Sequence, residues 1–330
     1  MRIGEYILNL AAIERNGCDR ILIQLPEGLM AHACEILDEI QRLSGAVAIL
    51  CQDPTYGACD IPLHLLPGTA DVLVHVGHTP IQPADPRVVF VEARVSLDHL
   101  DDPFGSLAGA CVRAGFTSVA LTATAQYLHC LDRAMERLDS EGIRASISPG
   151  GRTGLPGQVL GCNFAAARIP GTDGVIFLGS GRFHPVGMVW ATGLDVIAHD
   201  PLTGATERLG REEYERFLRR RHAAVTACSD LENFGILIST KPGQDRTDLA
   251  LQLRRDAIAS GRGVMLLAAD LLRPELLEHY PCGAFVSTAC PRLALDDAPR
   301  FGKPVLTPLE FRIVLGLEQW DHDSYGMDSL

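Results

Sequence analysis

Short apolar runs alternate along the chain with segments of helical periodicity, and this order occurs three times. Strands are predicted at 21–25, 46–51, 72–76, 88–91, 119–122, 144–148, 174–178, 195–198, 234–239, 263–268, 284–287 and 304–306. Helices are predicted at 29–43, 61–66, 126–138, from about 184, 245–259, 272–279 and 309–317. Short apolar strands interleaved with amphipathic helices are typical of parallel sheets that helices cover.

The repeat predicts an α/β protein of three similar parallel-sheet domains in a pseudo-three-fold arrangement around a central cleft. The predicted domains are residues 1–104, 105–215 and 216–330, with polar boundary stretches at 100–107 and 205–230 that contain Pro or Gly. In each repeat a polar turn follows the first strand, at 24–28, 122–126 and 239–244. Because parallel sheets bind ligands beyond the carboxyl ends of their strands, these turns are expected to face the cleft.

Three cysteines follow predicted strands: Cys59 and Cys162 come after the second strand of their repeats, and Cys290 comes after the third. Cys59 lies in Tyr-Gly-Ala-Cys-Asp, Cys162 in Leu-Gly-Cys-Asn and Cys290 in Ser-Thr-Ala-Cys-Pro-Arg. We interpret them as ligands of one shared metal cluster, although the pattern alone leaves open that they are ordinary thiols. Cys282 also remains open, because a strict repeat would favour it, whereas the small residues before Cys290 make the better ligand loop. Three thiolates on a cubane would leave one iron available to a substrate.

The charge and composition of the chain argue against two classes of protein, those that bind nucleic acid over a large surface and those that span a membrane. A net charge of −12 and a pI near 5.3 argue against a large nucleic-acid footprint, and no apolar run is long enough to cross a membrane. We therefore expect a cytoplasmic protein whose ten cysteines form no disulfides. Core packing is predicted for Cys34, Cys111, Cys130 and Cys228. A solvated helix face is predicted for Arg216, Arg219, Arg220 and Arg221.

Five segments together carry a family resemblance: 24–29, 56–60, 75–78, 179–184 and 287–292. With all three cysteine loops among them, the chain resembles the archaeal diphthamide-synthesis enzymes, the 2-(3-amino-3-carboxypropyl)histidine synthases. The resemblance covers nearly the whole chain and favours Cys290 over Cys282. It implies a [4Fe–4S] cluster held by Cys59, Cys162 and Cys290, with S-adenosylmethionine (SAM) on the fourth iron.

The resemblance also implies the reaction. A reduced cluster would cleave SAM to a 3-amino-3-carboxypropyl radical, which adds to an imidazole carbon of one histidine on translation elongation factor 2 and leaves methylthioadenosine. An electron donor and a homodimer are implied as partners, without direct contact to nucleic acid or membrane.

Polar residues at the strand ends are the candidates for binding SAM. Lys241 or Arg182 would pair with the carboxylate of its methionyl end, and Gln24 or Gln244 would hydrogen-bond the amino-acid group. His78 and His184 are expected in the cleft, and Gly179, Ser180 and Gly181 are expected to face the nucleoside. Each histidine has a structural alternative as a cap or core hydrogen-bonding group, and the glycines have one as a turn.

Two other functions fit the same pattern. A dehydratase similar to quinolinate synthase would also place one cysteine per domain on a cluster with an open iron, and would turn over a small dicarboxylate without SAM. A non-catalytic accessory subunit would hold zinc or a cluster. The product made from SAM and the metal content distinguish the three hypotheses.

Overall fold

The computed structural model describes residues 1–13, 18–81 and 85–320. By their internal contacts the described residues form two compact units. The first unit lies within 1–160, 164–185 and 194–209, and the second within 161–163, 186–193 and from 210 onward. The short segment 161–163, which contains Cys162, therefore belongs with the second unit.

Strands lead into helices throughout the described residues. The strands are β1 (Arg2–Ile3), β2 (Tyr6–Leu8), β3 (Arg20–Gln24), β4 (Val47–Leu50), β5 (Val72–Val76), β6 (Val88–Val91), β7 (Ala93–Val95), β8 (Ser118–Ala123), β9 (Arg144–Ser146), β10 (Gly174–Leu178), β11 (Val196–His199), β12 (Thr206–Leu209), β13 (Asn233–Ser239), β14 (Gly263–Ala269), β15 (Ala284–Ser287) and β16 (Val305–Leu306). The α-helices are α1 (Ala33–Ser44), α2 (Leu66–Thr69), α3 (Gly105–Ala114), α4 (Leu131–Asp139), α5 (Phe183–Thr192), α6 (Arg211–Cys228), α7 (Thr247–Ala259), α8 (Pro274–Leu277), α9 (Arg292–Leu295) and α10 (Pro308–Val314).

Three parallel sheets share one strand order. The first unit holds the sheets β4-β3-β5-β6 and β9-β8-β10-β11, the latter extended by antiparallel β12, and the second unit holds β14-β13-β15-β16. In each sheet the second strand along the chain lies on one side of the first, and the third lies on the other. The strand order therefore reverses between the first and third strands, and open α/β sheets form ligand crevices at such a switch point.

The central strands are apolar because both of their faces are covered. Every residue of β8 and β10 is buried. In the first sheet, Ile21 and Ile23 pack with Ile36 and Ile40 of α1. In the third sheet, the equivalent core includes Phe234 of β13 and is covered by α7 and α10.

The prediction of several parallel α/β sheets is confirmed. The three-domain division and the cleft arrangement stay predictions. The small antiparallel sheet β1-β2-β7 and the antiparallel strand β12 were not predicted. The predicted helix at 61–66, before Pro67 and Gly68, is also wrong. Instead a 3-10 turn at Leu63–Leu65 leads into α2, which contains both residues, because proline is tolerated in the first turn of a helix.

Two side-chain predictions were wrong. Cys34 is exposed, whereas Cys111, Cys130 and Cys228 are buried as expected. Arg221 is 4% exposed and does not share the solvated face of α6 with its neighbours. Its guanidinium donates to both carboxylate oxygens of Glu310, at 2.7 and 2.5 Å, and Glu310 is fully buried. The stretch 205–230, predicted as a domain boundary, contains β12 and α6.

Candidate iron–sulfur and substrate site

The loop that follows β4 is folded around the Asp60 carboxylate. This carboxylate accepts hydrogen bonds from the backbone N–H groups of Tyr56, at 2.7 Å, and Gly57, at 2.9 Å. The Asp60 carbonyl accepts a third bond, 2.7 Å long, from the Gln24 side chain at the end of β3. The half-buried Cys59 is thereby held between two anchored residues, beside the switch point of the first sheet.

The Cys290 loop continues β15 and is fixed to the neighbouring strand. Thr288 is buried, and both its backbone N–H and its hydroxyl donate to the carbonyl of Leu237 in β13, at 3.1 and 2.9 Å. Pro291 then directly precedes α9. Cys290 is half-buried. Cys282, the alternative ligand, lies before β15 and is buried in an apolar cluster.

In the second unit, the thiols of Cys162 and Cys290 both interact electrostatically with the buried guanidinium of Arg292. Burial lowers the pKa of the Arg292 guanidinium, and this effect is opposed by Asp296 and by the thiols of Cys290 and Cys162. Arg292 is ion-paired with Asp296 and lies 5.5 Å from the ring centroid of Trp190. Two cysteines that are far apart in sequence thus lie near one positive charge.

Gln24 and His78 belong to one chain of side-chain hydrogen bonds in the first unit. Gln24 is buried and contacts His75 Nδ1 at 2.8 Å, and His75 Nε2 contacts His78 Nδ1 at 3.0 Å. Burial lowers the pKa of His75 to about 3, with a smaller contribution from His78. Burial also lowers the pKa of His78, against the opposing charge of Asp60. Both histidines are therefore neutral near pH 7.

The loop after β10 contains the predicted nucleoside-facing residues. Gly179 has φ of 155°, and a Cβ there would lie 2.7 Å from the Phe177 ring, so this glycine is required by the turn itself. Ser180 and Gly181 are exposed. Arg182 forms an ion pair with Glu207 at 3.1 Å. His184 is half-buried and stacks on Phe177, with ring centroids 5.5 Å apart.

Lys241 and Gln244 lie in the turn after β13, at the switch point of the third sheet. Lys241 is 8% exposed and Gln244 is half-buried. The Lys241 carbonyl accepts the Gln244 N–H at 2.9 Å, so the turn is closed by its own backbone. A buried ammonium at a strand end suits an anionic group of a ligand.

The contacts of His75, Asp296 and Trp190 were not predicted from the sequence. The available signal was a histidine inside the otherwise apolar strand Val-Leu-Val-His-Val, because a polar side chain in a buried strand needs a partner. Among the described residues, no three His, Cys, Asp or Glu side chains are grouped as ligands of a single metal ion. Thiolates that bind different irons of a cluster lie farther apart than ligands of one ion.

His75 gives a pH-dependent contribution to stability. The unfolded residue takes up a proton near pH 6.5, whereas the folded residue stays neutral down to about pH 3. The unfolded state therefore binds more protons in this window, and stability falls as pH decreases. Between pH 7 and pH 5 we expect wild type to lose about 2 kcal/mol more than His75→Gln. Urea unfolding at both pH values measures this difference, and equal losses would remove His75 as its source.

The fold and the three cysteine-containing loops together define a class of protein. Its members have several parallel α/β sheets, with cysteines in loops beyond the carboxyl ends of the strands. A family model described as "Putative diphthamide synthesis protein" matches residues 25–326. The chain belongs to the diphthamide synthesis protein family.

Named proteins and a solved structure resemble the chain over most of its length. The 2-(3-amino-3-carboxypropyl)histidine synthase of Pyrococcus horikoshii is 38% identical over 323 residues, covering 95% of this chain and 91% of the relative. Subunit 1 of the corresponding synthase from Gallus gallus is 31% identical, covering 96% and 77%. The crystal structure of Dph2 from P. horikoshii with a 4Fe-4S cluster is 35% identical and matches with a TM-score of 0.83, covering 96% of this chain and 92% of that chain. No described helix is both long and apolar enough to cross a membrane.

Proposed function

We propose that this protein transfers the 3-amino-3-carboxypropyl group of SAM to a histidine imidazole carbon of translation elongation factor 2. This is the first step of diphthamide synthesis, with methylthioadenosine as the second product. The observation that carries the proposal is the approach of Cys162 and Cys290 to the buried Arg292, since it brings two sequence-distant thiols to one charged site. The names of the relatives support the same reaction.

Cys59, Cys162 and Cys290 are the proposed ligands of a [4Fe–4S] cluster. Their thiols suit iron, and each lies in a loop fixed by buried hydrogen bonds or charges. Three thiolates leave one iron open for SAM. When bound, such a cluster supplies one electron to the sulfonium, so that the bond to the aminocarboxypropyl carbon breaks.

The chain's own residues position the reactants. Arg292 supplies a buried positive charge beside Cys162 and Cys290. Lys241 is the proposed partner of the SAM carboxylate, with Gln244 beside it in the same turn. Arg182, His184 and the loop at Gly179–Gly181 are the proposed contacts of the remaining part of SAM. Gln24 acts through its hydrogen bonds to Asp60 and His75 rather than as a direct ligand.

The organisation implied by the resemblance completes the proposal. Domains 1–104, 105–215 and 216–330 would each bring one cysteine loop to a central cleft. The protein would work in the cytoplasm as a homodimer, with an external one-electron donor and without binding nucleic acid.

Transfer to the protein substrate tests this function. The anaerobically reconstituted protein is incubated with SAM, a one-electron reductant and elongation factor 2, and the factor is digested for mass spectrometry. We expect one histidine to gain the mass of a 3-amino-3-carboxypropyl group. An unmodified factor, with reduced cluster and SAM both present, would contradict the proposal.

The effect of Lys241 on SAM binding can be measured separately from any effect on the cluster. A charge-assisted hydrogen bond contributes about 1.5–3 kcal/mol, so Lys241→Met is expected to weaken SAM binding roughly 10–100-fold while iron content stays unchanged. Lys241→Arg keeps the charge and is the matched control. Isothermal titration under anaerobic conditions measures the affinity, and an unchanged Kd for the methionine variant would remove Lys241 from the site.

A further inference from the structure

The hydrogen-bond chain from the Cys59 loop fixes the proton positions on two histidines. The Asp60 carbonyl can only accept, so the Gln24 amide must turn its NH₂ group toward it and its oxygen toward His75. His75 Nδ1 must therefore carry a hydrogen. Because His75 is neutral, its Nε2 has no hydrogen and accepts from His78 Nδ1. Neutral His78 thus has its hydrogen on Nδ1 and a lone pair on Nε2.

The His78 lone pair is available to a ligand. Among the described residues, no group hydrogen-bonds to His78 Nε2, and the atom is not sealed from solvent. His78 lines a cavity of about 400 Å³ in the first unit, beyond the carboxyl ends of β5, β6 and β8. A cavity of this volume accepts a small molecule or a single side chain from a protein. Gly77, which precedes His78, adopts φ of 86° and turns the chain at the end of β5.

We propose that His78 Nε2 is the base that removes the proton from the modified imidazole carbon of the protein substrate, with Gln24 and His75 as positioning residues. This inference rests on the proposed function and names a residue for its last step. Gln24 and His75 make His78 Nε2 an acceptor, since reversing any single bond in the chain would leave two buried donors or two buried acceptors facing each other.

The chemistry of the step balances. After the aminocarboxypropyl radical adds, the ring carbon carries both the new C–C bond and its original hydrogen. The C–H bond then breaks, its proton goes to His78 Nε2, and one electron passes from the ring to a one-electron acceptor of the iron–sulfur class. Loss of both the proton and the electron restores the closed-shell aromatic imidazole and balances the electron used to cleave SAM. Recovery of aromaticity makes this proton acidic, so a neutral histidine is a sufficient base.

Several charged groups surround the proposed base. His75 and the charge of Asp60 act on it from its own sheet. Glu92, Arg94, His129 and Asp132 line the same cavity. Glu92 and Arg94 form an ion pair with each other at 2.6 Å. Among the described residues that line this cavity, His78 has a ring nitrogen, Nε2, that the buried hydrogen bonds of His75 and Gln24 fix as an acceptor.

His78→Asn is the most informative variant. An asparagine amide can still donate to His75 Nε2 but offers no basic nitrogen. General-base catalysis contributes about 10²–10⁴-fold, so the ratio of modified elongation factor to methylthioadenosine is expected to fall by roughly 10²-fold or more. The readout is this ratio and not the amount of either product alone, because proton removal follows SAM cleavage and a missing base lowers the ratio, whereas a damaged cleft lowers both products together. His64→Gln, an exposed histidine of the same unit, is the matched control.

Isotopic substitution separates a base from a structural role. With elongation factor carrying deuterium on the reacting ring carbon, transfer by His78→Asn is expected to show a primary isotope effect that wild type lacks. Added imidazole should restore transfer by His78→Ala. The same variant is compared with and without imidazole, so any folding defect is present in both samples. An unchanged product ratio in His78→Asn, or equal loss of both products, would overturn the assignment. Absence of methylthioadenosine in wild type would instead refute the proposed function.

Discussion

Cys290→Ala is expected to leave the anaerobically reconstituted protein without stably bound iron, and Cys162→Ala and Cys59→Ala are expected to do the same. Loss of a residue that merely supports a ligand costs about 10–100-fold in metal affinity, so loss of a ligand should cost at least as much. Iron and sulfide analysis after gel filtration, with the visible absorption of the cluster, measures retention.

Two cysteines of the same chain are matched controls for this experiment. Cys282→Ala removes a thiol buried in an apolar cluster, and Cys34→Ala removes an exposed one. Both are expected to retain iron at the wild-type level. Full iron content in Cys290→Ala, or loss of iron in Cys282→Ala, would show that Cys282 and not Cys290 is the ligand.

Arg221→Met is expected to destabilise the second unit strongly. Its guanidinium pairs with the fully buried Glu310 and also donates to the carbonyls of Ala294 in α9, at 2.7 Å, and Val305 in β16, at 2.9 Å. Removing one partner of a buried pair leaves an uncompensated charge, at a cost of roughly 3–5 kcal/mol. Because α9 follows Cys290 directly, we also expect weaker cluster retention.

A neighbouring arginine provides the comparison for Arg221. Arg219 is exposed and lies 3.7 Å from Glu215, so Arg219→Met is expected to change stability by about 0.5 kcal/mol or less. The double variant Arg221→Met/Glu310→Met removes both charges and should recover part of the loss. Urea unfolding of the four proteins measures these effects, and similar midpoints for Arg219→Met and Arg221→Met would contradict a stabilising buried pair.

The pattern of apolar runs in the sequence was sufficient to predict the parallel sheets, because strands buried on both faces need continuous apolar runs. It located β5, β6, β10 and β15 at their observed bounds. It could not find β12, whose sequence Thr-Glu-Arg-Leu is polar and whose pairing depends on a tertiary partner, β11. Edge strands of this kind carry little local signal.

Side-chain environment was harder to predict than secondary structure. Arg221 looks like its exposed neighbours in sequence, and only its partner Glu310, distant along the chain, distinguishes it. The sequence indicated Gln24 and His78 as polar residues at strand ends, but it could not show that His75 joins them, because that contact comes from strand pairing of β3 with β5. The site was therefore predictable as a set of loops, whereas its hydrogen-bond chain required the fold.

The identity of the carbon–sulfur bond that breaks tests the central claim most directly. The reconstituted and reduced protein is mixed with SAM alone, and the nucleoside products are separated by chromatography. The expected product is methylthioadenosine, formed by wild type and absent in Cys59→Ala, Cys162→Ala and Cys290→Ala. Formation of 5′-deoxyadenosine, or an intact SAM pool alongside turnover of a small dicarboxylate, would contradict the account.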